Sequence, residues 1–216
     1  MAVNRLTEHF FKADRPVFTQ ADVAVAIEGT DFSRHGLIKR AIASGEILNV
    51  RRGLYCLAEP YQKRPVRVYS ISQHVYGPSY VSLESALSYH GWIPESVYDC
   101  TCVSFNNAKE FDTPLGLFSY KRVAQRALYT GVERCIDEHG NVFFMASPAK
   151  ALADYVYVRR LTWPDVDGAI NSLRVQLEEL ASAQPGELSE LVSNYENRRV
   201  KRFLDGWLRF LEEANV

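Results

Sequence analysis

The residues of this chain best suited to bind a ligand form two groups near its start, and most of them are cations. The first group could share one helix after Gly29 and consists of Ser33, Arg34, His35, Lys39 and Arg40. The second is the adjacent pair Arg51 and Arg52, at the tip of the hairpin expected for ILNVRRGLYCL, 47–57. Guanidinium and ammonium groups placed in this way suit the phosphates and base edges of a nucleic acid. The alternative is an ordinary solvated surface, where both residue types are also common.

The net charge of -1 conceals an uneven distribution along the chain. Residues 1–70 carry 11 Lys and Arg against 7 Asp and Glu, whereas residues 71–216 carry 14 against 19. A basic first part attached to an acidic remainder indicates a polyanionic partner for the first part alone.

Catalytic and metal-binding signatures are weak. The chain contains no H-E-x-x-H, P-loop or G-x-S-x-G motif, and its histidines and cysteines lack metal-ligand spacing. The remaining enzymatic alternatives are a triad of Ser88, His90 and Asp99 or an acid–base pair of Glu84 and His90. We expect no enzyme activity, no cofactor and no metal, and we expect all four cysteines to be buried thiols.

Length and hydropathy set the class of protein. A chain of 216 residues can hold one large domain or two small ones. It has no apolar run long enough to span a membrane, and its first residues lack the apolar core of a signal peptide. We therefore expect a cytoplasmic protein with no membrane partner.

Three short helices and a hairpin are predicted to position the cations. The first helix covers 3–13, the second follows at once with Thr19 as its cap and ends at Gly29, and the third runs from a cap at Asp31 or Ser33 to about Ser44. Three helices followed by a two-stranded ribbon are the plan of a winged helix-turn-helix.

The third helix is the predicted recognition helix. On a helical wheel its apolar residues form one stripe, and the opposite face carries Gly36, Lys39, Arg40 and Ala43. Such helices usually contact bases through their first residues, here Ser33, Arg34 and His35. A glycine on an exposed helical face is costly, and it makes sense where a rigid object such as a major groove must approach closely.

The remainder of the chain reads as a mixture of strands and helices after a linker near Pro60–Pro65. Helices are predicted at 66–76, after a cap at Ser82, after Ser147, and at 165–182, 187–196 and 198–213. Strands are predicted at 97–105, 113–123, 132–137 and 141–146. The fold class is therefore α+β, with an N-terminal winged helix-turn-helix over 1–60 and a mixed α/β C-terminal domain over 66–216 that ends in helices.

Four segments, in this order, resemble the AbiEi antitoxins, which are transcriptional regulators of type IV toxin–antitoxin (abortive infection) systems. They are SRHGLIKRAIASGEILNVRRGLYCL, YVSLESALSYHGWIPE, FDTPLGLFSYKRV and MASPAKALADYVYV. The resemblance spans roughly residues 3–160. In one place the chain departs from the family, because the usual Thr-Pro-Glu-Lys is Ser147-Pro148-Ala149-Lys150, so no role of that glutamate carries over to Ala149.

The resemblance implies a repressor that binds double-stranded operator DNA of its own operon, with a homodimer on DNA as a compatible arrangement. It also implies an antitoxin that counteracts a nucleotidyltransferase-like toxin, without requiring a stable complex. The DNA-binding residues it implies are Ser33, Arg34, His35, Lys39, Arg40, Arg51 and Arg52. Two alternatives stay open: an interaction module that binds a toxin or other protein directly, and a stand-alone winged-helix regulator.

Overall fold

Two hydrophobic cores that share one hairpin organise this chain, seen in a computed structural model that describes residues 3–214. The helices are α1 (Arg5–Lys12), α2 (Gln20–Ala26), α3 (Asp31–Ala43), α4 (Val68–Val75), α5 (Leu83–Tyr89), α6 (Pro148–Val158), α7 (Asp167–Leu173), α8 (Leu177–Ala181), α9 (Pro185–Asn194) and α10 (Arg198–Ala214). The strands are β1 (Val17–Thr19), β2 (Ile47–Arg51), β3 (Leu54–Leu57), β4 (Ser79–Val81), β5 (Cys100–Ser104), β6 (Lys109–Thr113), β7 (Gly116–Arg122), β8 (Val132–Ile136) and β9 (Val142–Ala146). The α+β class predicted from the sequence is confirmed.

Residues 3–58, here called the head, hold three helices and a three-stranded antiparallel sheet of order β1-β3-β2. Thr19, the predicted cap of α2, forms a capping box with Asp22. Strand β1, between α1 and α2, was not predicted: the sequence suggested that the second helix follows at once. Its three residues are too few for an alternating pattern, and pairing with β3 rather than local propensity makes them a strand.

Residues 66–214, here called the body, are built on a six-stranded mixed sheet of order β6-β7-β5-β4-β9-β8. Strand β4 pairs antiparallel with β5 and parallel with β9, so the centre of the sheet joins segments far apart in the chain. The predicted strand over 113–123 is the second half of a hairpin, whose first strand, β6, is mostly exposed and carries little hydrophobic signal. The helices of the body pack around this sheet in one large core.

The hairpin of β2 and β3 belongs to both cores. Val50, Leu54 and Cys56 pack into the core of the body, whereas Tyr55 and Leu57 pack into the core of the head. All four residues of β3 are buried, as expected for a strand covered on both faces. The head and the body are therefore joined by packed apolar surface as well as by the linker.

The linker itself is fastened to the turn between β8 and β9. Arg64 donates a hydrogen bond to the carbonyl oxygen of His139 at 2.8 Å and forms an ion pair with Asp14 at 2.7 Å. Arg67 pairs with Glu138 at 2.9 Å, and the side chain of Asn141 donates to the carbonyl oxygen of Pro65 at 3.1 Å. These contacts fix the path of the chain from the head to the body.

Two other predictions need correction. The helix expected over 165–182 is divided, because Arg174 takes the left-handed conformation (φ 58°) after α7 and α8 begins only at Leu177. Of the four cysteines, Cys56, Cys100 and Cys102 are buried free thiols, whereas Cys135 is only half-buried on β8, an edge strand.

Within residues 3–214, no helix has both the length and the apolar character needed to cross a membrane. Over the same range, no group of three or more His, Cys, Asp or Glu side chains is arranged to hold a metal ion.

Candidate nucleic-acid interface

The start of α3 is held by a cap and a clamp. The hydroxyl of Thr30, rather than the predicted Asp31 or Ser33, caps the helix by accepting the backbone N–H of Ser33 at 3.2 Å. The guanidinium of Arg34 donates to the carbonyl oxygens of Gly29 at 2.6 Å and Ile27 at 3.2 Å. It also pairs with Asp31 at 2.7 Å. These bonds tie the first turn of α3 to the end of α2.

The outward face of α3 combines cations with very small residues. Lys39, Arg40 and Ala43 are exposed, and Gly36 lies between the first turn and the cations. In the part of the chain that the structure describes, neither cation has an ion-pair partner. Both charges are therefore available to a ligand approaching this face.

The inward face of α3 packs into the core of the head. Ile38 and Ala41 are buried, and the side chain of Asn4, the cap of α1, donates to the carbonyl oxygen of Leu37 at 3.2 Å. The backbone N–H of the same Asn4 donates to the carboxylate of Glu46 at 2.9 Å. Helix α1 thus contacts α3 on its inward face.

Buried Glu46 keeps its charge through local donors. Its burial opposes ionisation, but hydrogen bonds from the Asn4 N–H and from the Ser44 hydroxyl (2.9 Å) hold the pKa of Glu46 below its ordinary value. The hydrogen bond from Arg34 likewise holds the pKa of Asp31 below its ordinary value. Both carboxylates are committed to protein donors, so they leave Lys39 and Arg40 unneutralised.

The tip of the hairpin places its two arginines differently. Arg51 is exposed, yet its guanidinium donates to the carbonyl oxygen of His74 at the end of α4, at 3.2 Å. Arg52 is exposed and has no hydrogen bond or ion pair among the contacts of the described residues. Gly53 supplies the positive φ (77°) that the turn requires, with open space around it. Arg52 is thus the freer of the two cations.

The predicted residues therefore fall into three groups. His35, Lys39, Arg40 and Arg52 are exposed, and no hydrogen bond of the described residues engages their side chains. Ser33 is exposed, but its hydroxyl donates to the carbonyl oxygen of Thr30 at 2.8 Å. Arg34 and Arg51 bind carbonyl oxygens of the protein.

Sequence reasoning missed an aromatic residue on the same helix. Phe32, in the first turn of α3, is 91% exposed. Its position could have been found on the helical wheel, because it lies seven residues before Lys39 and so points in nearly the same direction.

The enzymatic alternatives find no support in the arrangement of their side chains. Glu84 forms an ion pair with Arg159, and the His90 ring nitrogen Nε2 lies 2.9 Å from the carbonyl oxygen of Ala146. The hydroxyl of Ser88 donates to the carbonyl oxygen of Glu95 at 3.1 Å rather than to a histidine. Each of these groups is engaged with a separate partner.

A fully buried polar network in the body was also missed. The ammonium of Lys150 pairs with the carboxylate of Asp154 at 3.0 Å, and both side chains are inaccessible to solvent. Hydroxyls of Tyr80 and Ser82 donate to the other carboxylate oxygen at 2.9 and 2.8 Å, and Tyr195 donates to the first. Burial lowers the pKa of Lys150, although the charge of Asp154 opposes this. The enclosure of the network indicates a role in stability.

The body also contains an aromatic-lined cavity of about 360 Å³. Tyr69, Tyr89 and Phe143 line it and pack against one another with ring centroids 5.7–5.9 Å apart. Asp99 supplies a carboxylate, while Asp137 accepts the backbone N–H groups of its own turn. This lining offers apolar surface rather than an acid–base pair.

No protein-family model matches this chain, and the curated proteins compared with it gave no match either.

Proposed function

We propose that this protein is a DNA-binding transcriptional regulator whose head is a winged helix-turn-helix. In this proposal α3 is the recognition helix and the hairpin of β2 and β3 is the wing. The order of elements supports it, since three helices precede a two-stranded hairpin and a short strand completes the sheet.

The observation that carries the proposal is the outward face of α3. Its two exposed cations stand beside glycine and alanine, so a groove can approach the backbone of the helix while phosphates meet Lys39 and Arg40. Asp31, the one acidic residue within α3, is paired with Arg34.

The predicted residues take different roles in this proposal. His35, Lys39 and Arg40 contact base edges or phosphates, and Arg52 contacts the backbone from the wing. Ser33 can accept a hydrogen bond, since its own proton is donated to Thr30. Arg34 acts mainly by holding the first turn of α3, and Arg51 contributes less than Arg52 because it is engaged with His74.

The wider role rests on the resemblance of the four segments to AbiEi antitoxins. It is autorepression in the cytoplasm at double-stranded operator DNA, and neutralisation of a nucleotidyltransferase-like toxin by a route that needs no stable complex. Ala149, where the family has glutamate, is buried in the body, and no role of that glutamate is carried over to this chain.

Titration of a labelled duplex from immediately upstream of the coding sequence tests DNA binding. The double variant Lys39→Ala/Arg40→Ala should bind more weakly, and the slope of log affinity against log salt should fall by about one unit for each lost phosphate contact. Arg202→Ala/Arg209→Ala, which removes two exposed arginines from α10, is the matched control and should bind normally. Equal affinities of the two double variants would reject α3 as the interface.

The alternative is that the body binds a protein partner directly. Exposed apolar side chains of the body favour it, among them Tyr98 at 90% exposure and Ile136 at 57%. Stable co-purification with the product of an adjacent toxin gene would support this alternative. Absence of any such gene would instead leave a stand-alone regulator as the better description.

A further inference from the structure

Phe32 lies at the N-terminal end of the outward face of α3. With about 100° between successive residues, Phe32, Gly36, Lys39 and Ala43 all point within a sector of about 60° opposite the buried Ala41. The ring is 91% exposed and lies N-terminal to the small side chains and the cations on α3. Single exposed apolar side chains are common on protein surfaces, so the position of this ring on the proposed recognition helix, rather than its exposure alone, points to a contact.

The ring is presented by a well-anchored turn. The cap by Thr30 fixes the residue after which the helix begins, and the Arg34 clamp holds the same turn to Gly29 and Ile27. Among the ring contacts of the described residues, none involves Phe32. The first turn therefore holds the ring toward whatever binds this face.

The charges of the face decide between partners. Lys39 and Arg40 lie about two turns beyond Phe32 on the same helix, and the carboxylate next to it in the chain, Asp31, is paired with Arg34. A polyanion matches these charges better than an apolar protein surface does. The major groove of DNA is such a polyanion, and the apolar group it offers to a side chain is the C5-methyl of thymine.

We infer that Phe32 packs against the C5-methyl group of a thymine in the major groove and makes the protein select thymine at that position. This inference rests on the proposed function, since it places a specificity-determining contact in the proposed DNA interface. It goes beyond the proposed function because it assigns a base-specific contact, whereas contacts between cations and phosphates carry no base information.

Uracil substitution tests the contact, because uracil differs from thymine only by that methyl. Each thymine of the bound upstream duplex is replaced by uracil in turn, and affinity is measured by fluorescence anisotropy. Loss of one methyl contact should weaken binding of the wild-type protein by about fourfold at one position in the half-site. Phe32→Ala should bind the thymine and uracil duplexes equally there, whereas Phe32→Leu should keep part of the preference.

Val25→Ala is the matched control, since Val25 is also 91% exposed but lies on α2. It should keep the wild-type preference for thymine, and none of the three variants should unfold below the wild-type temperature, because neither side chain is buried. Discrimination that persists in Phe32→Ala, or is absent from the wild type while DNA still binds, would overturn the inference alone. Loss of self-association in Phe32→Ala with unchanged discrimination would also overturn it, and would place a second copy on the ring. A wild-type protein that binds no upstream duplex would reject the proposed function itself and the inference with it.

Discussion

Arg34 directs its guanidinium at the protein rather than at solvent, and only 18% of its side chain is exposed. We expect Arg34→Ala to lower the free energy of unfolding by about 1–2 kcal/mol, because two carbonyl oxygens lose a charged donor. Urea unfolding measures this effect. Arg40→Ala, at an exposed site six residues on, should leave stability unchanged. Equal stability of the two variants would contradict the clamp.

Glu46 makes stability depend on pH with a defined sign. Its pKa in the folded protein is lower than the ordinary value of 4.5, so folding favours the ionised form. The contribution is therefore complete above pH 4.5 and is lost as pH falls through the lowered folded pKa. Glu46→Gln should destabilise most at neutral pH, and its difference from the wild type should shrink in acid. A difference that is constant with pH in urea unfolding would contradict this prediction, and Glu59→Gln, at an exposed position, is the control.

The Lys150–Asp154 pair should behave as a buried ion pair. Asp154→Ala leaves an uncompensated ammonium in the core and should cost about 3–5 kcal/mol of stability. Adding Lys150→Met should recover part of that loss, because it removes the stranded charge. Glu110→Ala, which breaks an exposed pair with Lys121, is the control and should cost far less. A double variant less stable than Asp154→Ala would count against this account.

At the scale of elements, replacing Gly36 by alanine should have opposite effects on stability and on DNA binding. Alanine is favoured over glycine within a helix by about 0.5–1 kcal/mol, and the added Cβ would meet only the flexible end of Arg40 at 3.4 Å. We therefore expect Gly36→Ala to raise the melting temperature while weakening binding to the upstream duplex. Gly53→Ala, at a position of positive φ in open space, should lower stability instead. A rise in both stability and affinity for Gly36→Ala would argue against close approach at this face.

The elements that the sequence predicted well are those specified locally. The cap of α2 by Thr19 and the helix predicted over 198–213, which is α10, both depend on residues within one helix. Ser82 shows the opposite case. It occupies the predicted cap position of α5, but its hydroxyl bonds Asp154 from a distant helix instead of a backbone N–H of its own helix. The short strand β1, the sparsely apolar β6 and the partners of Arg34 likewise depend on contacts between segments, which no local pattern encodes.

At the scale of the whole molecule, the shared hairpin predicts that the head and the body unfold together. Separating them would expose Val50, Leu54 and Cys56, which pack into the core of the body. All three tryptophans lie in the body. Their fluorescence and the amide exchange of α3 should therefore report the same denaturant midpoint. Two separate midpoints, or a native spectrum from a fragment of residues 1–60, would contradict this prediction.

The fastened linker and the shared hairpin also bear on how copies could be arranged along DNA. In the proposed function, a head held to its body by this packing would have a fixed rotational phase about the double helix once the bodies of two copies meet. Repeated half-sites could then be moved apart only in whole turns of about 10 base pairs, because an insertion of half a turn would put the second site on the opposite side of the duplex. Under the proposed function, the route of residues 62–67 across the β8–β9 turn would set a periodicity in the operator as well as a path for the chain.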